Sequence, residues 1–233
     1  SSSSSHNGHS HSSHNSNSNG NGNSRDEDGR AKSSDGTRKN KIPFTFASLN
    51  AMSGVQQLLA VLQHTHVVSF ARLQELCSAF RQRAATAAEA ESALVDALDE
   101  HACFVGGRWV ALSRNVCSVR QGTPPVFRDA LLVLIAQSPH ANNGVRRSDV
   151  CDTLSVKSKH VLQVLEPMMR LNRESGRWEF KIGRDDAFLA KFGGIGRSHQ
   201  KLWKSAKKRK AVMDALKVDL ARGLNILPPH AAA

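Results

Sequence analysis

The sequence predicts a mainly α fold carrying small β-hairpins, and three observations predict it. Apolar residues recur at helical spacing through most of the chain beyond residue 48. One element order occurs twice, on either side of Thr123–Pro124–Pro125. A last apolar-periodic stretch, interrupted by a basic run, follows the second copy.

The first copy begins at Gly54 to Thr65, where Val55, Leu58, Leu59 and Leu62 share one helical face. Val67–Val68 follows as a short extended piece. Ser69 suits an N-cap, and Phe70, Leu73, Leu76, Cys77 and Phe80 form the apolar face of one further helix. Thr86 to Glu100 is Ala-rich and helical, with Ala90, Leu94, Val95 and Leu98 inward. The period then shortens. Ala102 to Val105 and Arg108 to Leu112 read as extended strands about a Gly106–Gly107 turn, a β-hairpin. Helix, strand, helix, helix, hairpin is the order of a winged helix, in which the hairpin is the wing.

The order then repeats. Val126 to Ser138 is a strongly apolar helix, Asn142–Asn143–Gly144 a turn and Val145 a short extended residue. Ser148 reads as the cap of a short helix ending at Leu154, and Ser155 as the start of a longer one. The second hairpin is less clear: the strand before Asn172 is nearly absent unless Met168 to Leu171 is extended, which Pro167 permits because it would break the helix there. Asn172 to Gly176 is a turn, and Arg177 to Ile182 a strand. Asp185 to Phe192 reads as a short helix, Gly193, Gly194 and Gly196 as a flexible break, and His199 to Leu220 as a long helix. Four regions are therefore expected: a disordered Ser/Asn/His-rich tail (1–48), two winged-helix-like units (49–122 and 123–184), and a basic C-terminal helical extension (185–227).

The tail has no large apolar side chain up to residue 40. It cannot offset the ordering of its backbone, about 1–2 kcal/mol per residue. The remaining length, about 190 residues, suffices for two small cores. A net charge of +12 predicts acidic partners: nucleic acid, an acidic protein surface or anionic lipid. No run of apolar residues is long enough to span a membrane. The N-terminus has no apolar h-region, which reads as no secretory signal. The chain opens on Ser rather than Met, as a piece of a longer protein would. Cys77, Cys103, Cys117 and Cys151 form no CxxC pair and read as free thiols, buried in all but the case of Cys117.

No catalytic constellation stands out. Asp185 and Asp186 are adjacent, so on a helix they point in different directions, and capping accounts for them. The glycines at 193, 194 and 196 lack the Lys-Ser/Thr ending of a phosphate loop. The tail histidines His6, His9, His11 and His14 read as low-complexity drift rather than metal ligands. His64 and His66 sit at a helix end, where contact with the last carbonyls explains them. No cofactor, metal or small-molecule substrate is expected. The candidate nucleic-acid or import patch is Lys207, Lys208, Arg209 and Lys210. Candidate phosphate contacts are Arg146, Arg147, Lys157 and Lys159, with His160 beside them. The matching helix of the first unit is acidic, with Glu89, Glu91, Asp96 and Asp99, which favours protein contact over DNA there. Trp109, Trp178 and Phe180 lie on hairpin strands and read as core.

Four short motifs occur in order: Gly107–Arg108–Trp109–Val110, Phe127–Arg128–Asp129, Gly176–Arg177–Trp178–Glu179–Phe180 and His199–Gln200–Lys201–Leu202–Trp203. In order and spacing they resemble the Sin-like family, the fifth RNA polymerase III-specific subunit, over about residues 106–216 and more loosely before. The resemblance implies a nuclear, non-catalytic subunit of DNA-directed RNA polymerase III. Such a subunit acts through protein contacts as a scaffold for small-RNA transcription (tRNA, 5S rRNA), with other polymerase III subunits as partners and DNA nearby. It also implies an N-terminal pairing barrel, and no stretch of this sequence reads as one, so a fragment or a divergent form is expected. The alternative drawn from charge and element order is a free-standing winged-helix DNA-binding transcription regulator.

Overall fold

The computed structural model describes residues 45–117 and 123–221. The tail histidines and the Pro228–Pro229 terminus lie outside the described residues. The chain is mainly helical with small antiparallel strand pairs.

Helix α1 (Phe46–Asn50) starts inside the stretch read as tail, capped by Thr45, and buries Leu49. Ser53 and Gln56 close a capping box on α2 (Gly54–Thr65). Strand β1 is Val67–Val68. The expected single helix from Phe70 to Phe80 is two, α3 (Phe70–Leu76) and α4 (Ser78–Arg83), broken at Cys77. Buried Gln57 explains the break. Its Oε1 accepts from the Ala79 N–H at 3.0 Å, supplying the partner that a continuous helix would have offered. Helix α5 (Ala87–His101) leads into the hairpin β2 (Ala102–Val105) and β3 (Arg108–Ala111), and α6 (Ser113–Val116) follows.

The hairpin is not a free wing. With β1 it forms a three-stranded sheet, β1-β3-β2, and every residue of β2 and β3 is buried. Alternation along the strands sends Val68, Phe104, Trp109 and Ala111 into one core and Val67, Cys103, Val105 and Val110 into the other. The first core includes Leu58, Leu62, Leu73, Leu94 and Leu98; the second includes Phe127, Leu131, Ile135, Leu165 and Met168. The sheet therefore lies between the two cores.

Helix α7 (Pro125–Gln137) opens on proline at its first turn. A 3-10 turn (Ala141–Asn143) precedes α8 (Arg147–Leu154) and α9 (Ser158–Met168). Ser148 is not the cap of α8: Arg146 holds that position, with no side-chain hydrogen bond. Ser155 does not start α9. It takes a left-handed φ of 53° and closes α8. Strands β4 (Met169–Asn172) and β5 (Arg177–Phe180) make the second hairpin, turning over Gly176 at φ 64°.

The glycine-rich stretch is helical. Helix α10 (Asp186–Lys204) runs through Gly193, Gly194 and Gly196 with a kink at Phe192, and the break to α11 (Ala206–Ala221) falls at Ser205. Gly196 is buried, and a Cβ there would sit 2.7 Å from a Leu189 methyl and 3.3 Å from the Phe104 ring. Close packing, not flexibility, explains that glycine. Gly194 has open space around it. Gly194→Ala is expected to raise stability by about 0.5–1 kcal/mol in denaturant unfolding, because alanine is the better helix former. Unchanged or lowered stability would mean that the segment is not helical in solution.

Candidate functional site

The carboxylate pair at the start of α10 is structural. Buried Asp185 accepts from the Phe188 N–H at 3.1 Å and from the Phe70 N–H at 2.5 Å, so one side chain caps both α10 and α3. Its own N–H donates to the Gly107 carbonyl at 2.8 Å. Asp186 points outward to Arg184, 2.8 Å away.

The four motifs form the joints between the parts of the fold. Arg108 is buried; its Nε donates to the Ile182 carbonyl at 3.0 Å, and its guanidinium lies 5.1 Å over the Phe180 ring. Trp109 is fully buried against Phe104, Phe188 and His199. Arg128 is buried; its Nη1 reaches the Ala111 carbonyl at 2.7 Å and Ser113 Oγ at 3.1 Å, joining α7 to the end of β3. Burial pushes that guanidinium below its ordinary value. His199 lies 2.8 Å from Asp99, and Trp203 is buried in the second core. Phe180 is core, whereas Trp178 is only half-buried against it.

The acidic helix α5 is partly covered by the chain's own α10. Lys191 pairs with Glu91, and His199 with Asp99. The hydrogen bond from Lys191 holds the Glu91 carboxyl below the usual range. Two of the acidic groups that pointed to an outside protein therefore have partners within the chain.

Burial pushes the Cys77 and Cys103 thiols up to about 12. Cys151 is only half-buried, like Cys117. His66 ends α2 with a left-handed φ of 59°. It is not a cation resting on the last carbonyls. Burial, together with the charges of Arg128, Lys181 and His64, lowers it to about 4.

The basic candidates separate. Lys208 lies 4.6 Å over the Trp203 ring, and Lys210 pairs with Asp214 at 3.3 Å. Lys207 and Arg209 are exposed, and Arg209 donates to Gln137 Oε1 at 3.2 Å. Lys157 precedes α9 and Lys159 is exposed on it, but His160 is buried and so cannot reach a phosphate there. Arg146 and Arg147 are exposed at the start of α8.

One groove brings three arginines together from distant parts of the sequence. Arg146, Arg177 and Arg209 line a volume of about 260 Å³, with His140 and Asp149 at its margin. The placement comes from a bridge between Val145 and Trp178, whose N–H groups donate to each other's carbonyls at 3.0 and 2.8 Å. That bridge brings their neighbours Arg146 and Arg177 to one groove. Arg147, Lys157 and Lys159 do not line the groove. Arg177 is not among the phosphate contacts that the sequence suggests. The extended reading of Val145 and the strand at Arg177 were its signal, but their pairing was not legible.

No helix among the described residues is long and apolar enough to cross a membrane. A search of curated proteins finds no match. The chain matches the family described as RPC5 protein over residues 4–213, most of its length. It belongs to the RPC5 family, the family of RNA polymerase III subunit C5.

Proposed function

We propose that this chain is a non-catalytic, nuclear subunit of RNA polymerase III that serves small-RNA transcription as a scaffold, through contacts with other polymerase subunits. Family membership over residues 4–213 carries this reading. The burial of Arg108, Trp109, Arg128 and Trp203 supports it: these motif residues join parts of the fold. In this reading, residues 49–122 and 123–184 are tandem winged-helix-like units, and 185–227 is a basic C-terminal helical extension. The exposed cations of α11 and α8 lie beside the assembly's nucleic acid or its acidic surfaces.

Affinity purification of the tagged full chain from nuclear extract is expected to recover the large polymerase III subunits in stoichiometric amounts, read by mass spectrometry. Recovery of none of them would remove the assembly reading. The net charge of +12 favours a second reading, direct DNA binding. That reading requires duplex affinity with a steep salt slope. Unchanged duplex mobility at low salt excludes it.

A further inference from the structure

From the groove between α8, β5 and α11 we infer a docking site for an acidic protein segment that carries an aliphatic side chain among its carboxylates. Arg146 and Arg177 adjoin the antiparallel Val145–Trp178 bridge and line one groove, where like charges repel unless an anion lies between them. Arg209 adds a third guanidinium from α11. None of the three takes part in an ion pair among the described residues. The groove holds one carboxylate, Asp149, which leaves an excess of positive charge.

Guanidinium forks fit carboxylate and phosphate equally well. The remaining wall decides between them. Leu134, Val145, Val150 and Pro139 line the same groove. Leu134 is half-buried and Pro139 exposed, so part of this surface meets solvent. A nucleic-acid backbone would leave it unused, whereas an aliphatic side chain flanked by carboxylates covers it and satisfies the arginines together. An apolar centre inside a charged rim is the usual anatomy of a protein contact. Nothing in this geometry depends on membership of the polymerase.

The test is fluorescence anisotropy on the full chain at physiological salt, with three labelled probes: an acidic peptide containing leucine, the same peptide with serine for leucine, and a DNA duplex. Combined Arg146→Glu and Arg177→Glu is expected to weaken the leucine peptide roughly tenfold or more. Combined Arg81→Glu and Lys201→Glu makes the same change in net charge at exposed sites elsewhere and is expected to leave affinity within about twofold. The serine peptide is expected to bind several-fold more weakly than the leucine peptide. Arg146→Gln with Arg209→Gln serves as a milder second pair, with thermal melting confirming the fold of each variant. Equal loss in the groove pair and the remote pair would overturn the proposal as non-specific charge attraction. Loss of duplex binding alone would overturn it in favour of nucleic acid.

Discussion

Trp109→Ala is expected to destabilise the protein by about 3–5 kcal/mol, a large share of a typical domain's stability. The indole is fully buried at the centre of an aromatic cluster. Its ring lies 5.2 Å from both Phe104 and Phe188, and 5.4 Å from His199. These neighbours come from β2 and α10, so truncation opens a cavity that no single element can collapse to fill. Trp109→Phe is expected to be far milder, because the indole Nε1 has no hydrogen-bond partner among the described residues to lose. Trp178 is only half-buried, and Trp178→Ala is expected to lose about 1–2 kcal/mol. Denaturant unfolding of the three variants measures this order. Near-wild-type stability of Trp109→Ala would mean that the sheet does not lie between two cores.

A loss of stability between pH 6.5 and about 4 is expected from His66. The unfolded chain takes up a proton at this imidazole near its ordinary value of 6.5, and the folded chain does so only near 4. Acidification through that window therefore favours the unfolded state. The contribution is whole above pH 6.5 and is lost progressively as the pH falls to 4. Allowing for the part of the ring that meets solvent, it is about 2–3 kcal/mol. The causes are burial first, then Arg128, Lys181 and His64, all of which oppose a further positive charge. His66→Asn keeps a residue that tolerates the left-handed backbone and removes the titration. Unfolding midpoints at pH 7 and pH 4.5 should fall less in the variant than in the parent. An equal fall in both would place the acid sensitivity elsewhere.

The locally determined parts of the fold were legible in the sequence. Helix α2, the Gly106–Gly107 turn and the start of α7 at Pro125 each rest on residues close together in the sequence. The parts that were not legible depend on a distant partner. Gln57 ends α3 from twenty residues upstream, by replacing a backbone acceptor. Helix α10 keeps its glycines helical because Gly196 packs on Phe104, which outweighs a propensity penalty of about 1 kcal/mol for each glycine. The arginine groove needs the Val145–Trp178 register and the return of α11, and neither can be read from spacing. Ala102–Cys103–Phe104–Val105 is apolar without interruption, the mark of a strand covered on both faces.

That sheet sets the order in which the protein can mature on the ribosome. The strands are complete once residue 111 has emerged, but one face waits for α7 and α9, and the other still lacks Phe188. At translation rates of roughly 5–20 residues per second, the stretch up to Trp203 takes several seconds or more, and the nascent strands present unsatisfied apolar surface throughout. A message truncated after the first hairpin would therefore yield a product prone to aggregation rather than a small working domain. The first hairpin depends on α7, α9 and α10 to cover its two faces.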